Sequence, residues 1–143
     1  MTLHKLPVLR IVTRVWTAAL TGFTFSFLAF LYMGIVFGFD LSVTWGVLLW
    51  YTFIGFIIGI VGTLKRHPIF GFHLLFLRGM LVAGILNLSV GLMAEVEFKH
   101  MFAFVPCPIE WAFLLEGLIV GAIIDGVATH FGGEGKELLR RRD

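Results

Sequence analysis

Charge and cysteine are what this chain has least of. Only 14% of its 143 residues are Asp, Glu, Lys or Arg, where water-soluble domains carry about 25%. A surface built from so few charges does not suit water on all sides. The single cysteine, Cys107, cannot close an internal disulfide, and it excludes thiol-rich metal or dithiol chemistry within one chain. Catalytic signatures are missing too. The sequence holds no Gly-x-Ser-x-Gly and no His-Glu-x-x-His. The tail run Gly132-Gly133-Glu134-Gly135-Lys136 has His130 and Glu137 where a phosphate-cradling loop needs Gly and Ser or Thr. With no nucleophile–base pair and no metal-ligand spacing in view, the chain reads as non-enzymatic, with no cofactor and no nucleic-acid partner.

Apolar sequence is abundant instead. Hydrophobic residues make up 59% of the chain, and mean hydropathy is +0.97. Four long apolar runs cover residues 17–39, 41–64, 70–94 and 108–129. Each exceeds the ~20 residues that a helix needs to cross a bilayer. Such runs lack the alternation of a membrane barrel, and lipid offers no partner for an unbonded backbone. The expected fold is an all-α membrane protein with four transmembrane helices. Residues 1–16 form a basic arm, read as ordinary flanking sequence or as an interfacial helix. Residues 17–131 form the helical domain, and 132–143 a charged tail. The first apolar run is too long for a signal-peptide core and no small-residue cleavage site follows it.

Basic residues set the orientation. Lys5, Arg10, Arg14, Lys65, Arg66, Lys136, Arg140, Arg141 and Arg142 all fall on one side of such a four-span chain, and Lys99 alone on the other. Both termini are therefore expected in the cytoplasm, where the basic ends would meet anionic headgroups. Short loops fit a bacterial inner membrane. The 95–107 loop, half apolar, falls on the far side.

Small residues recur at four-residue spacing: Gly55 and Gly59, Gly79 and Ala83, Gly117 and Gly121, and also Gly34 and Gly38. Such faces let helix backbones approach, within one chain or between chains. Two histidines, His73 and His130, fall near the cytoplasmic edge. They could meet across the third and fourth helices as haem or metal ligands, although helix-end histidines more often cap carbonyls.

Three charged residues lie deep in the apolar runs, Arg78 in the third and Glu116 and Asp125 in the fourth, and Asn87 lies with Arg78 in the third. A charge at mid-bilayer costs about 2.5–3.5 kcal/mol on insertion scales, so each is a candidate functional residue. At ~1.5 Å per residue, Arg78 lies ~12 Å from the cytoplasmic face, Asp125 ~7.5 Å and Glu116 ~21 Å. Side chains lean toward their own helix N-terminus. Arg78 and Asp125 thus converge as an ion pair in a lower layer, and Asn87 and Glu116 as a hydrogen-bonded pair in an upper one. Each helix separates its two polar residues by nine positions, about 180° around a straight helix. Both pairs cannot share one seam between helices three and four. One set must face helices one and two, a neighbouring subunit or a water-filled cavity.

The resulting expectation is a small non-enzymatic subunit that self-associates or joins other membrane subunits. An alternative is a proton- or cation-coupled channel or transporter, with Glu116 as carrier and Arg78–Asp125 as gate. A further alternative is a membrane enzyme or haem carrier using the histidines.

Overall fold

Helix propensity and a scarcity of breakers give four helices, and the positions of the breakers give their ends. In the computed structural model, which describes residues 7–38, 41–62, 76–98 and 108–133, they are α1 (Pro7–Phe37), α2 (Leu41–Val61), α3 (Leu77–Phe98) and α4 (Ile109–Gly132). No strand occurs among the described residues. Pro7 opens α1 at the position where its missing N–H costs nothing, so the helix begins ten residues before the expected Thr17 and absorbs most of the basic arm. Gly38 stops it with φ of 80°, a left-handed conformation that a side chain would strain. Gly38 is therefore a helix stop and not a packing residue. Nothing lies near the Cβ it lacks. At the other end of the chain α4 follows extended Pro108, carries Glu110 in its first turn and closes when the Gly133 N–H bonds the Thr129 carbonyl at 2.9 Å.

Length and composition make two of these helices, over Ile11–Val36 and Ile109–Gly132, able to cross a membrane. The apolar parts of the other two, Trp45–Val61 and Leu77–Met93, are shorter. The helix α3 begins at Leu77, seven residues after the expected start, and runs on through Glu95 and Glu97.

Two antiparallel hairpins result, and small residues set the closeness of each. In the first, a Cβ on Gly22 would overlap the Tyr51 carbonyl, and one on Gly55 would overlap the Ala18 carbonyl. Gly59 lies against Val15 and Ala18 in the same way. In the second, Gly117 rests on the Ala83 carbonyl, while Gly79 and Gly121 each rest on the other's carbonyl. The sequences at the two crossings match: Gly55-Phe-Ile-Ile-Gly59 against Ala18, and Gly117-Leu-Ile-Val-Gly121 against Ala83. One packing solution is thus used twice. The hairpins meet mainly along α1 and α4, and α2 touches α3 and α4 more lightly.

The core between them is narrow. Ala18, Tyr51, Ile54, Ile58, Ala83, Val120, Ile124 and Ala128 form its apolar part. Of the seven largest fully buried side chains, four are polar: Arg14, Asn87, Asp125 and Ser26. The outer face reverses the usual order, with Ile35 82% exposed, Met93 71%, Trp16 63%, Ile85 62% and Trp111 61%.

Close crossings make a direct prediction. Gly55→Leu and Gly117→Leu each force backbones apart and should destabilise the protein by about 1–3 kcal/mol or more. Gly46→Leu, at a position with open space around it, should leave stability unchanged. Thermal unfolding of the purified variants in detergent checks this, and equal behaviour of all three would refute the crossing geometry.

Candidate functional site: two buried polar layers

Asp125 occupies the centre of the lower layer. It sits on α4, fully buried, one turn after Gly121, where the missing side chains of Gly79 and Gly121 bring α3 close. Arg78, 3% exposed, reaches across from the first turn of α3. Its Nε donates to both carboxylate oxygens, at 2.8 and 3.0 Å. Its Nη2 donates to the Thr129 hydroxyl at 2.9 Å, and Nη1 to the Gly62 carbonyl at 3.5 Å. The guanidinium is turned inward and not toward a surface.

Arg14 completes the layer, and the sequence reading had placed it among the flanking charges. It is fully buried. Its Nη2 donates to Asp125 Oδ1 in a second salt bridge, and its Nη1 donates to the Thr129 hydroxyl at 3.0 Å and the Gly133 carbonyl at 2.6 Å. The hydroxyl of Thr129 accepts from both arginines and faces Asp125 Oδ1 at 3.5 Å. The side chain of Arg14 passes between two glycines. A Cβ on Gly62 would collide with its guanidinium, and one on Gly132 with its own Cβ. Each hairpin thus ends in a glycine that leaves room for this one residue. The expected Arg78–Asp125 pair is present, but as part of a triad that draws on α1.

In the upper layer the expected direct pairing of Asn87 with Glu116 is replaced by a longer connection. Asn87, fully buried on α3, accepts from Trp50 Nε1 at 2.8 Å and donates through Nδ2 to the Tyr51 hydroxyl at 2.8 Å. The Tyr51 hydroxyl in turn lies close enough to the Glu116 carboxyl to interact with it. The α2 aromatics intervene because Asn87 faces α2 as well as α4. A second contact fixes the tyrosine: its backbone N–H donates to the Ser26 hydroxyl of α1 at 3.1 Å. Glu116 itself is an exposed residue, on the same side of α4 as exposed Leu115 and Ile119.

Both layers therefore fit inside one chain. The 180° separation on α3 and α4 is met by α1 and α2, which supply Arg14 below and Trp50 and Tyr51 above. The separation in angle no longer requires a second subunit. Between the layers, over nine residues of α3 or about 14 Å, Ile54, Ile58, Ala83 and Val120 form an apolar partition.

The remaining candidates are dispersed. Gly55, Gly59, Gly79, Ala83, Gly117 and Gly121 lie in the hairpin crossings. His130 is exposed, edge-on to Phe131 at 5.0 Å between ring centroids. His73, like Cys107 and most of the 95–107 loop, lies outside the described residues.

Chemically, the lower layer is a clamp. A carboxylate held by two guanidiniums and a hydroxyl is neither an available base nor a nucleophile. Removing one partner of such a group strands the others. Asp125→Asn leaves two buried guanidiniums without their carboxylate and should cost about 3–5 kcal/mol. Arg14→Met leaves the Arg78–Asp125 pair intact and should cost less. Unfolding in detergent or bicelles measures the order, and a larger loss for Arg14→Met would overturn the central role given to Asp125.

No family model matches this chain, and neither a curated protein nor a solved structure shows significant similarity to it.

Proposed function

We propose that the chain is a non-enzymatic integral membrane protein of four spans, with both termini in the cytoplasm of a bacterial cell. It acts as a subunit of a membrane assembly, either a homo-oligomer or a larger complex. One observation carries this reading: among the described residues, large apolar side chains cover the outside and Arg14, Arg78 and Asp125 lie inside, with exposed Glu116 as the exception to that inward placement. An apolar exterior belongs in hydrocarbon, where the polar interior holds helices together. The apolar parts of α2 and α3, Trp45–Val61 and Leu77–Met93, are about 25 Å long, somewhat less than the ~30 Å thickness of the hydrocarbon. The triad supports the placement of the termini, because it ties the beginning of α1 to the end of α4 on one side.

Assembly follows from the exception. A carboxyl on a hydrocarbon-facing surface is costly, and a second protein surface over it removes the exposure. The apolar partition separates Glu116 from the triad, which argues for docking over conduction. The proton- or cation-coupled alternative draws on the polar side chains that lead from Asn87 through Tyr51 toward Glu116. It requires a flux in vesicles that Glu116→Gln abolishes.

The native cysteine supplies a topology test. A membrane-impermeant maleimide should label Cys107 in intact spheroplasts, and a C-terminal fluorescent-protein fusion should glow in the cytoplasm. Labelling only after lysis would reverse or break the four-span arrangement. Native mass spectrometry of the gently extracted protein should show a defined oligomer or bound subunits, and a clean monomer would remove the assembly reading.

A further inference from the structure

The upper layer has a direction. The indole of Trp50 has only a donor, so the Asn87 amide must turn its oxygen toward Trp50 and its nitrogen toward Tyr51. The Tyr51 oxygen accepts that bond, which leaves its one proton for another acceptor, and the Glu116 carboxyl is the group it interacts with. Two successive hydrogen bonds therefore donate the same way, from Trp50 through Asn87 to Tyr51. Bonds aligned in series polarise one another. Beyond Tyr51 lies Glu116, exposed at the surface beside Leu115 and Ile119, which are 60% and 54% exposed.

We propose that Glu116 is the docking point for a basic side chain, Lys or Arg, carried at mid-membrane by a helix of a partner protein. This rests on the assembly reading above and names the chemistry of its contact. A helix laid along α4 would cover Leu115 and Ile119 and bring its cation to the carboxyl. Tyr51 lies on the inner side of that carboxyl, and the exposed side is left for the partner. A second copy of this chain fits less well. A symmetric pairing through this part of α4 sets one carboxyl against another with no cation between them, and Arg14 and Arg78 are both buried and bound to Asp125. A metal ion also fits poorly, because one carboxyl and one phenol fall short of the six to eight oxygens that a hard cation such as calcium takes.

Model helices provide the probe. The full-length protein, reconstituted into phosphatidylcholine vesicles and carrying a donor dye, is titrated with two acceptor-labelled transmembrane peptides. One is polyleucine with a single central lysine, the other its all-leucine counterpart. The lysine peptide should bind at least tenfold more tightly. Glu116→Gln should erase that preference while leaving all-leucine binding unchanged, and Tyr51→Phe should reduce it several-fold. Glu116→Lys should transfer the preference to a peptide with a central glutamate, which shows that the variant is folded and the contact is electrostatic. Equal binding of both peptides to the unaltered protein overturns the proposal. Energy transfer between copies that Glu116→Gln abolishes overturns it in favour of self-association and leaves the assembly reading standing. Cys107 labelling in the same vesicles reports insertion separately, so a failure of the membrane reading is distinguished from a failure of the contact.

Discussion

The Asp125 carboxylate draws both hairpins onto one buried point, and the Asn87 hydrogen bonds to Trp50 and Tyr51 join them at a second. Each hairpin is held internally by glycine crossings that need nothing from the other. Contact between them is mostly that of α1 with α4, and the apolar core there is slender. Arg14, Arg78 and Thr129 converge on one carboxylate, and the Gly62 and Gly133 carbonyls take further guanidinium protons, so a single point draws on all four helices. Buried ion pairs recover little net energy over well-packed apolar residues. Their value here is register: only one alignment of the hairpins brings both guanidiniums to Asp125.

The two polar layers differ in what they leave open. The lower one is closed, with the carboxylate oxygens and the Thr129 hydroxyl all engaged. The upper one ends at an exposed residue. Ile54, Ile58, Ala83 and Val120 keep them apart, so a change at Glu116 reaches the triad through helix packing and not through a continuous hydrogen-bonded path. That separation leaves one polar layer fully enclosed and the other open to the surface.

Much of this architecture was legible in the sequence, and the misses have physical causes. The convergence of Arg78 and Asp125 followed from helix rise and side-chain lean, because both residues lie within a few turns of the same helix ends. The glycine faces were visible as spacing, but spacing does not name the opposite helix. Arg14 was misread because a basic residue at the start of an apolar run has a simpler explanation, and because α1 starts at Pro7 and not at Thr17. The signals that could have found it were Gly62 and Gly132, two small residues at the ends of two other helices. Tyr51 and Trp50 were missed for a different reason. In a chain with 15% aromatic residues, two more rings look like lipid-facing bulk, and the polar atom of each matters only once Asn87 is placed opposite.

The partner that Arg14 needs is encoded 111 positions later. At a synthesis rate of about 5–20 residues per second, several seconds pass between the emergence of the arginine and that of Asp125. The first hairpin can form in that interval on its glycines alone. Its arginine must meanwhile stay hydrated, and it can sink into place only when α4 arrives. The later helix α4 thus seals α1. A chain cut short before α4 keeps two unburied guanidiniums at the surface, a mark by which an incomplete molecule differs from a finished one.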